Sequence, residues 1–511
     1  MRRRFIRLAS AAAAAVVVAG AMAACAETCS LQIKRLEAVS GRTTGPPSDQ
    51  MFRGLYPQHF YRQTGGNVRF GSQQSDEAEF SKVIKKEPPT YNSKSPLRAV
   101  AKLGTQQFGF VLDSREAEKK PEAAEGEPKK PAPPQGETRQ PPQVPDFGRL
   151  LFDLNHNGDL TDDPVVEAQA APGVRYPPGY SNFEFPRVDL TVEAEGTKID
   201  YAFVISGYAH SQYLNEKSLY QYVSASLNAA AYRDGEITLD GKRFRIVVAD
   251  FNSNGRFDDL PVLDYSTTYA GGGIYLRQGD MLYIDPQPQK AAYGYDPTTS
   301  DESHHLTKTI KIGERFYSLR ITPAGDKLTL EPSSLAVGHV RNPNQGYRAL
   351  VYGDQGVLKV SGDAEGRAPL PVGQWKLLMY TIDGTGLADP AKPAAKQPSL
   401  LQSLANAMFR SEQASGPKYT MVSARASRDY PAVEVRAGET AELRFGPPYT
   451  PQVTGTLPQA GGQASLGLSL VGVGGEVCSN LMVDGGRPAK PGLTITDPDG
   501  KVVQRGNFEY G

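Results

Sequence analysis

A mainly β chain is predicted, a multidomain array of antiparallel β-units and β-sandwiches with few short helices. Three observations predict it. Gly (52), Pro (40) and Tyr (25) are abundant, which favours short strands and turns over long helices. Apolar residues alternate in short runs split by Gly-containing turns, as in 192–203, 237–248 and 310–321. The acidic pattern D-x-N-x-N-G-x-[LF]-x-D occurs at 153–162 and again at 250–259, each time behind an apolar strand. That repetition predicts related β-units, with a third unit that lacks the loop.

The chain has 511 residues, too many for one ordinary core. Lys plus Arg and Asp plus Glu both number 56, so no net charge points to nucleic acid or an anionic membrane surface as partner.

The first thirty residues read as export signal rather than fold. Arg2, Arg3, Arg4 and Arg7 make a basic start, and Leu8 to Ala21 is Ala-rich and apolar. Residues 1–24 are therefore a secretory signal peptide, too short and Ala-rich for a membrane span. Arg2 to Arg7 resembles a twin-arginine signal, with ordinary Sec export as the alternative. Met22-Ala23-Ala24-Cys25 resembles a lipobox, so either Cys25 is lipidated or the chain is simply cleaved nearby. Membrane attachment is expected only through such an anchor. Both routes end at the bacterial cell envelope or outside the cell. Cys29 and Cys478 remain, either as a disulfide or as two isolated thiols.

A first β-unit is expected over 30–186. Within it, 114–145 is charged and Pro-rich, and its composition predicts disorder. It reads as a long loop between two strands, or as a linker. Further β-units are expected over 187–334. At 335–450, Leu370 to Leu378 and Val435 to Leu443 resemble the paired strand signatures of prealbumin-like (carboxypeptidase-regulatory-like) sandwiches. That resemblance covers about a fifth of the chain and implies a spacer or adhesive module. Leu400, Leu404, Ala407 and Met408 are spaced for one short helix. Residues 451–511 form a further small β-region, which stops in mid-pattern as a fragment would.

Calcium takes six to eight hard oxygens on a flexible loop, with side chains at positions 1, 3 and 5, Gly at 6 and a carbonyl at 7. The first loop offers Asp153, Asn155, Asn157, Asp159, Thr161 and Asp162. The second offers Asp250, Asn252, Asn254, Arg256 (through its carbonyl), Asp258 and Asp259. Position 12 is Pro164 or Pro261, so the closing Glu of an EF-hand is missing. The loops resemble extracellular calcium modules. They are also similar to EF-hand-like D-x-N-x-N-G loops in uncharacterised secreted proteins and lipoproteins of environmental bacteria, which implies no particular activity. The competing reading is a bare Asx turn, since Asn and Asp cap their own backbone. With two acids replaced by Asn, calcium should bind weakly, on the order of 0.1–1 mM.

No catalytic constellation is legible. The six His show no H-E-x-x-H or H-x-H pattern, and neither G-x-S-x-G nor a Walker loop occurs. Gly271–Gly273 and the 472–475 glycines read as turns, and His304-His305 as a polar loop. Tyr208, Tyr213, Tyr220, Tyr222, Tyr269 and Tyr275 suit either cross-strand packing or carbohydrate stacking. The expectation is an exported, non-catalytic, envelope-associated binding or structural protein. Its partner would be cell-surface carbohydrate or another envelope protein. A secreted calcium-stabilised carbohydrate hydrolase with scattered carboxylates is the alternative.

Overall fold

The computed structural model describes residues 26–510 apart from 37–48, 55, 65–76, 116–143, 145, 170–176, 178, 214–218, 266–273, 278, 288–299, 345, 385–419 and 457–464. The short helix expected around Leu400–Met408, Gly271–Gly273 and Tyr269 lie outside the described residues. So does most of the Pro-rich insert.

The chain is mainly β, as expected, in several antiparallel sheets, with one seven-residue α-helix, Glu77–Val83, among the described residues. No helix among the described residues is long and apolar enough to cross a membrane. The turn chemistry sets the hairpins. Glu195-Gly196 and Asp240-Gly241 both adopt positive φ, the conformation that matches a two-residue turn to strand twist. They join Val188–Ala194 to Thr197–Tyr213 and Ala231–Leu239 to Lys242–Ala249.

One hydrophobic core runs from Cys29 to Leu330 and takes residues from each of the larger sheets of the first three-fifths, including that of Leu97–Leu103, Gln106–Asp113 and Arg149–Phe152. Leu263 and Leu276 of a small hairpin pack instead with Leu350, Val357 and Leu378. The boundary expected at 186/187 therefore separates no cores. Tyr180–Glu184 and Val188–Ala194 both pair with Thr197–Tyr213. Within the first thirty residues, read as export signal rather than fold, residues 27–30 belong to the fold. Glu27–Ser30 is an edge strand on Lys327–Pro332, and Gln32–Arg35 pairs with Ala231–Leu239. Cys29 and Leu31 face the core, and that burial recruits the segment.

The second body is a two-sheet sandwich. Arg367–Pro371, Val337–Arg341 and Thr440–Glu442 make the smaller sheet. The larger one holds Gly373–Asp383 and continues through Met421–Arg425 into Val477–Met482, Ser465–Val471 and Thr450–Thr456. The boundary expected at 450/451 thus falls inside a sheet. Trp375 is fully buried between the two layers, and its Nε1–H donates to Pro371 O at 2.8 Å.

Cys29 and Cys478 are both free thiols. Cys29 sits in the first core and Cys478 on the larger sheet of the second, so the pairing left open by the sequence is not made. Burial pushes the Cys29 thiol up to about 11, which leaves it unreactive.

Gln106–Asp113 pairs directly with Arg149–Phe152, so the Pro-rich insert joins neighbouring strands of one sheet. Its base is pinned, because Arg115 N–H donates to Asp146 O at 3.1 Å. Closing a long loop costs little more than closing a short one. Deleting 117–143 behind a short Gly-Ser bridge should therefore change stability by less than about 1 kcal/mol in urea unfolding. A larger loss would show that the insert packs on the body.

Candidate metal centres: two acidic loops

Each acidic loop begins where a strand ends. Asp153 follows Arg149–Phe152 and Asp250 follows Lys242–Ala249. The leading carboxylates are 1 % and 0 % exposed, so they can persist only if hydrogen-bonded. Asp153 accepts from the N–H groups of Asn157 (2.9 Å) and Gly158 (3.0 Å). Asp250 accepts from those of Asn254 (3.2 Å) and Gly255 (2.8 Å).

The correspondence extends through the loop. Position 4 is left-handed in both, at His156 (φ 57°) and Ser253 (φ 59°), and so is the glycine at position 6 (φ 79° and 81°). The side-chain oxygen of Asn157 accepts from Asp159 N, and that of Asn254 from Arg256 N. The trailing acid then takes both Asn amides. Asn155 and Asn157 donate to Asp162 at 3.4 and 2.8 Å, and Asn252 and Asn254 to Asp259 at 3.2 and 2.6 Å. Leu160 and Phe257 at position 8 are buried and pin each loop to its core.

Other predicted positions have other partners. Asp159 is held by the Lys86 ammonium (2.7 Å) and by Thr161, which keeps its carboxyl down at about 2. Asp258 forms a two-pronged pair with Arg256, at 2.9 Å for each prong. His156 is exposed and lies against the Phe108 ring at 4.8 Å, with Nε2 3.1 Å from Gln107 O.

Two acids and a tyrosine were missed. Asp163 follows directly on Asp162. Its Oδ2 is buried without a hydrogen-bond partner, and desolvation together with Asp153 and Asp162 pushes its carboxyl up to about 6. Asp280 is fully buried and accepts from Phe251 N (3.2 Å) and Asp259 N (2.8 Å). Tyr201 OH donates to Asp250 Oδ2 at 2.7 Å from a strand some fifty residues earlier. Burial first, then Asp259, pushes Asp250 up to about 7, and burial with Asp250 raises Asp280 well above the carboxylate range. A chemical signal was present only for Asp163, as an extra acid beside Asp162.

The donor set fits a hard divalent cation in two respects. Each loop holds one carboxyl raised by burial and in part by neighbouring carboxylates, Asp163 and Asp250, and each contains one buried oxygen with no hydrogen-bond partner, Asp163 Oδ2 and Asn252 Oδ1. Among the described residues no three His, Cys, Asp or Glu side chains are gathered as metal ligands. A cation would therefore lean on Asn amide and backbone oxygens as much as on carboxylates.

The raised pair sets a pH dependence. In metal-free protein the folded state holds protons that the unfolded chain releases above about 4. Stability should fall as pH rises from about 4 to about 7, the interval between Asp250's ordinary and folded values. Urea unfolding in chelator across that range, compared with Asp280→Asn, isolates the effect. Identical slopes for the two proteins would refute it.

A cleft of about 730 Å³ lies elsewhere, between Ser465–Val471 and the hairpin of Gly492–Thr496 and Val502–Asn507. Leu466, Leu468, Leu481, Leu493 and Ile495 line it with one carboxylate, Glu509, so it lacks the carboxyl pair that glycoside hydrolysis uses. No protein-family model, curated protein or solved structure matches this chain.

Proposed function

We propose that the chain is an exported, non-catalytic scaffold of the bacterial cell envelope whose two acidic loops are calcium-held clips. The observation that carries this is how much chain the second loop ties together. Ser253 O accepts from Gln58 Nε2 (2.7 Å), Asn254 O from Gly104 N (2.7 Å), and Phe257 N–H donates to Pro323 O (3.1 Å). With Tyr201 and Asp280, five segments distant in sequence meet on ten residues. The first loop does the same on a smaller scale, since Gly158 O accepts from Lys85 N and Lys86 N. Calcium at such a junction stabilises the fold without touching a substrate. The basic, Ala-rich start of the chain supports export, and Cys25 supports a lipid anchor.

Calorimetric titration of calcium into chelator-treated protein tests this. Two weak sites are expected, with dissociation constants on the order of 0.1–1 mM. At about 0.1 mM affinity, millimolar calcium would add roughly 1.4 kcal/mol and raise the melting temperature. Asp153→Ala and Asp250→Ala should each remove one site. No heat and no thermal shift at several millimolar calcium would leave both loops as bare Asx turns.

A further inference from the structure

Four of the tyrosines singled out in the sequence, Tyr208, Tyr213, Tyr220 and Tyr222, lie on one sheet. Its strands run Gln58–Thr64, Leu219–Ala229, Thr197–Tyr213, Tyr180–Glu184. Directly opposed residues of an antiparallel sheet share a face. One row across the four strands is Tyr180, His210, Tyr222, Gln63. The next is Asn182, Tyr208, Ser224, Tyr61. The opposite face carries Phe183, Ala209, Val223 and Phe60, which are buried in the first core.

These two rows hold rings, amides and a hydroxyl, with no aliphatic side chain, Lys or Arg, and Tyr61 is buried at one end. The next row of the same face is Glu184, Ser206, Ser226 and His59, which puts one carboxylate beside them. The rings are contiguous. Tyr180 stacks on His210 with centroids 4.1 Å apart and planes 15° apart, and Tyr208 meets Tyr222 at 5.7 Å. Tyr180 and Tyr208 are 44 % and 42 % exposed. Desolvation keeps His210 below its ordinary value, so it stays neutral at physiological pH. At about 4.8 Å per strand the paved strip is roughly 14 Å across.

We propose that this face binds a neutral polysaccharide. Flat rings accept the C–H faces of sugars, while Asn182 at the margin and Ser224 between the rings offer hydrogen bonds to hydroxyls. With no Lys or Arg in the two rows and Glu184 beside them, the face disfavours anionic glycans and nucleic acid, which need Lys or Arg. The missing aliphatic side chains disfavour a protein partner, whose interface centre is more apolar. The proposal names the partner of the scaffold argued above, but it does not depend on calcium.

The test is native electrophoresis through gels containing hydroxyethylcellulose, galactomannan or pullulan. Retardation by at least one is expected. The double variant Tyr180→Ala/Tyr208→Ala should lose about tenfold or more in affinity, as removal of aromatic anchors does. Tyr180→Phe/Tyr208→Phe should retain retardation. Unchanged mobility in polymer-free gel and an unchanged melting temperature show that the variants fold. No retardation by any of the three polymers would overturn the proposal, and so would retardation that the alanine pair keeps. Asp153→Ala should be retarded like the parent. If calcium gives no thermal shift while retardation persists, the clips fall and this face stands.

Discussion

Asp250→Ala should lower the unfolding free energy by about 3–5 kcal/mol, far more than its counterpart Asp153→Ala. The difference lies in the donors left behind. Removing the Asp250 carboxylate strands the N–H groups of Asn254 and Gly255 and the hydroxyl of Tyr201, which is fully buried. Each buried orphan costs about 1–3 kcal/mol. Relief of repulsion with Asp280 offsets part of this, but three donors outweigh one lost repulsion. Asp153→Ala strands two N–H groups, and Asn157 lies on the exposed side of its loop. Its loss should be nearer about 1–2 kcal/mol. Tyr201→Phe removes one donor and leaves the other two bonds, so it should fall between the two Asp250 states. Urea unfolding in chelator measures all of them, and equal losses for the two aspartates would refute the asymmetry.

The second large effect is expected in the other body. Trp375→Ala should cost about 3–5 kcal/mol in the sandwich that contains it. The indole belongs to the buried cluster that also holds Leu370, Leu377 and Val435, and its N–H is satisfied by Pro371 O. Alanine would leave a cavity lined by side chains held in two sheets, which cannot close over it. Trp375→Phe keeps most of the volume and should cost less than half as much. Calorimetric scans should show the transition of the second body falling in temperature while the response to calcium proposed for the first body persists. Loss of the calcium response in Trp375→Ala would mean that the two bodies unfold as one.

Local chemistry made much of this legible. The Asp-Gly hairpin at 240–241 was readable because two positive-φ residues between alternating apolar runs have one common solution. The loop positions were readable because Asp, Asn and Gly at fixed offsets dictate Asx turns whatever surrounds them. What stayed hidden was non-local. Asp280 lies 21 residues beyond Asp259, and nothing near it shows that strand Met281–Ile284 pairs beside the second loop. Tyr201 sits in a long strand where any inward position would be apolar. Tyr180 and His210 became neighbours only through the register of two strands. The N-terminal strand was overlooked because four residues next to a basic, Ala-rich start carry too little periodicity to register.

That strand has a mechanical consequence. Glu27–Ser30 is fixed residue by residue against Leu330, Thr329, Leu328 and Lys327. Ala26 alone separates it from Cys25. Two extended residues span about 7 Å. A lipid on Cys25 would therefore pin the body to the bilayer surface rather than leash it at a distance. The orientation of the whole molecule above the membrane would then follow from that one edge strand.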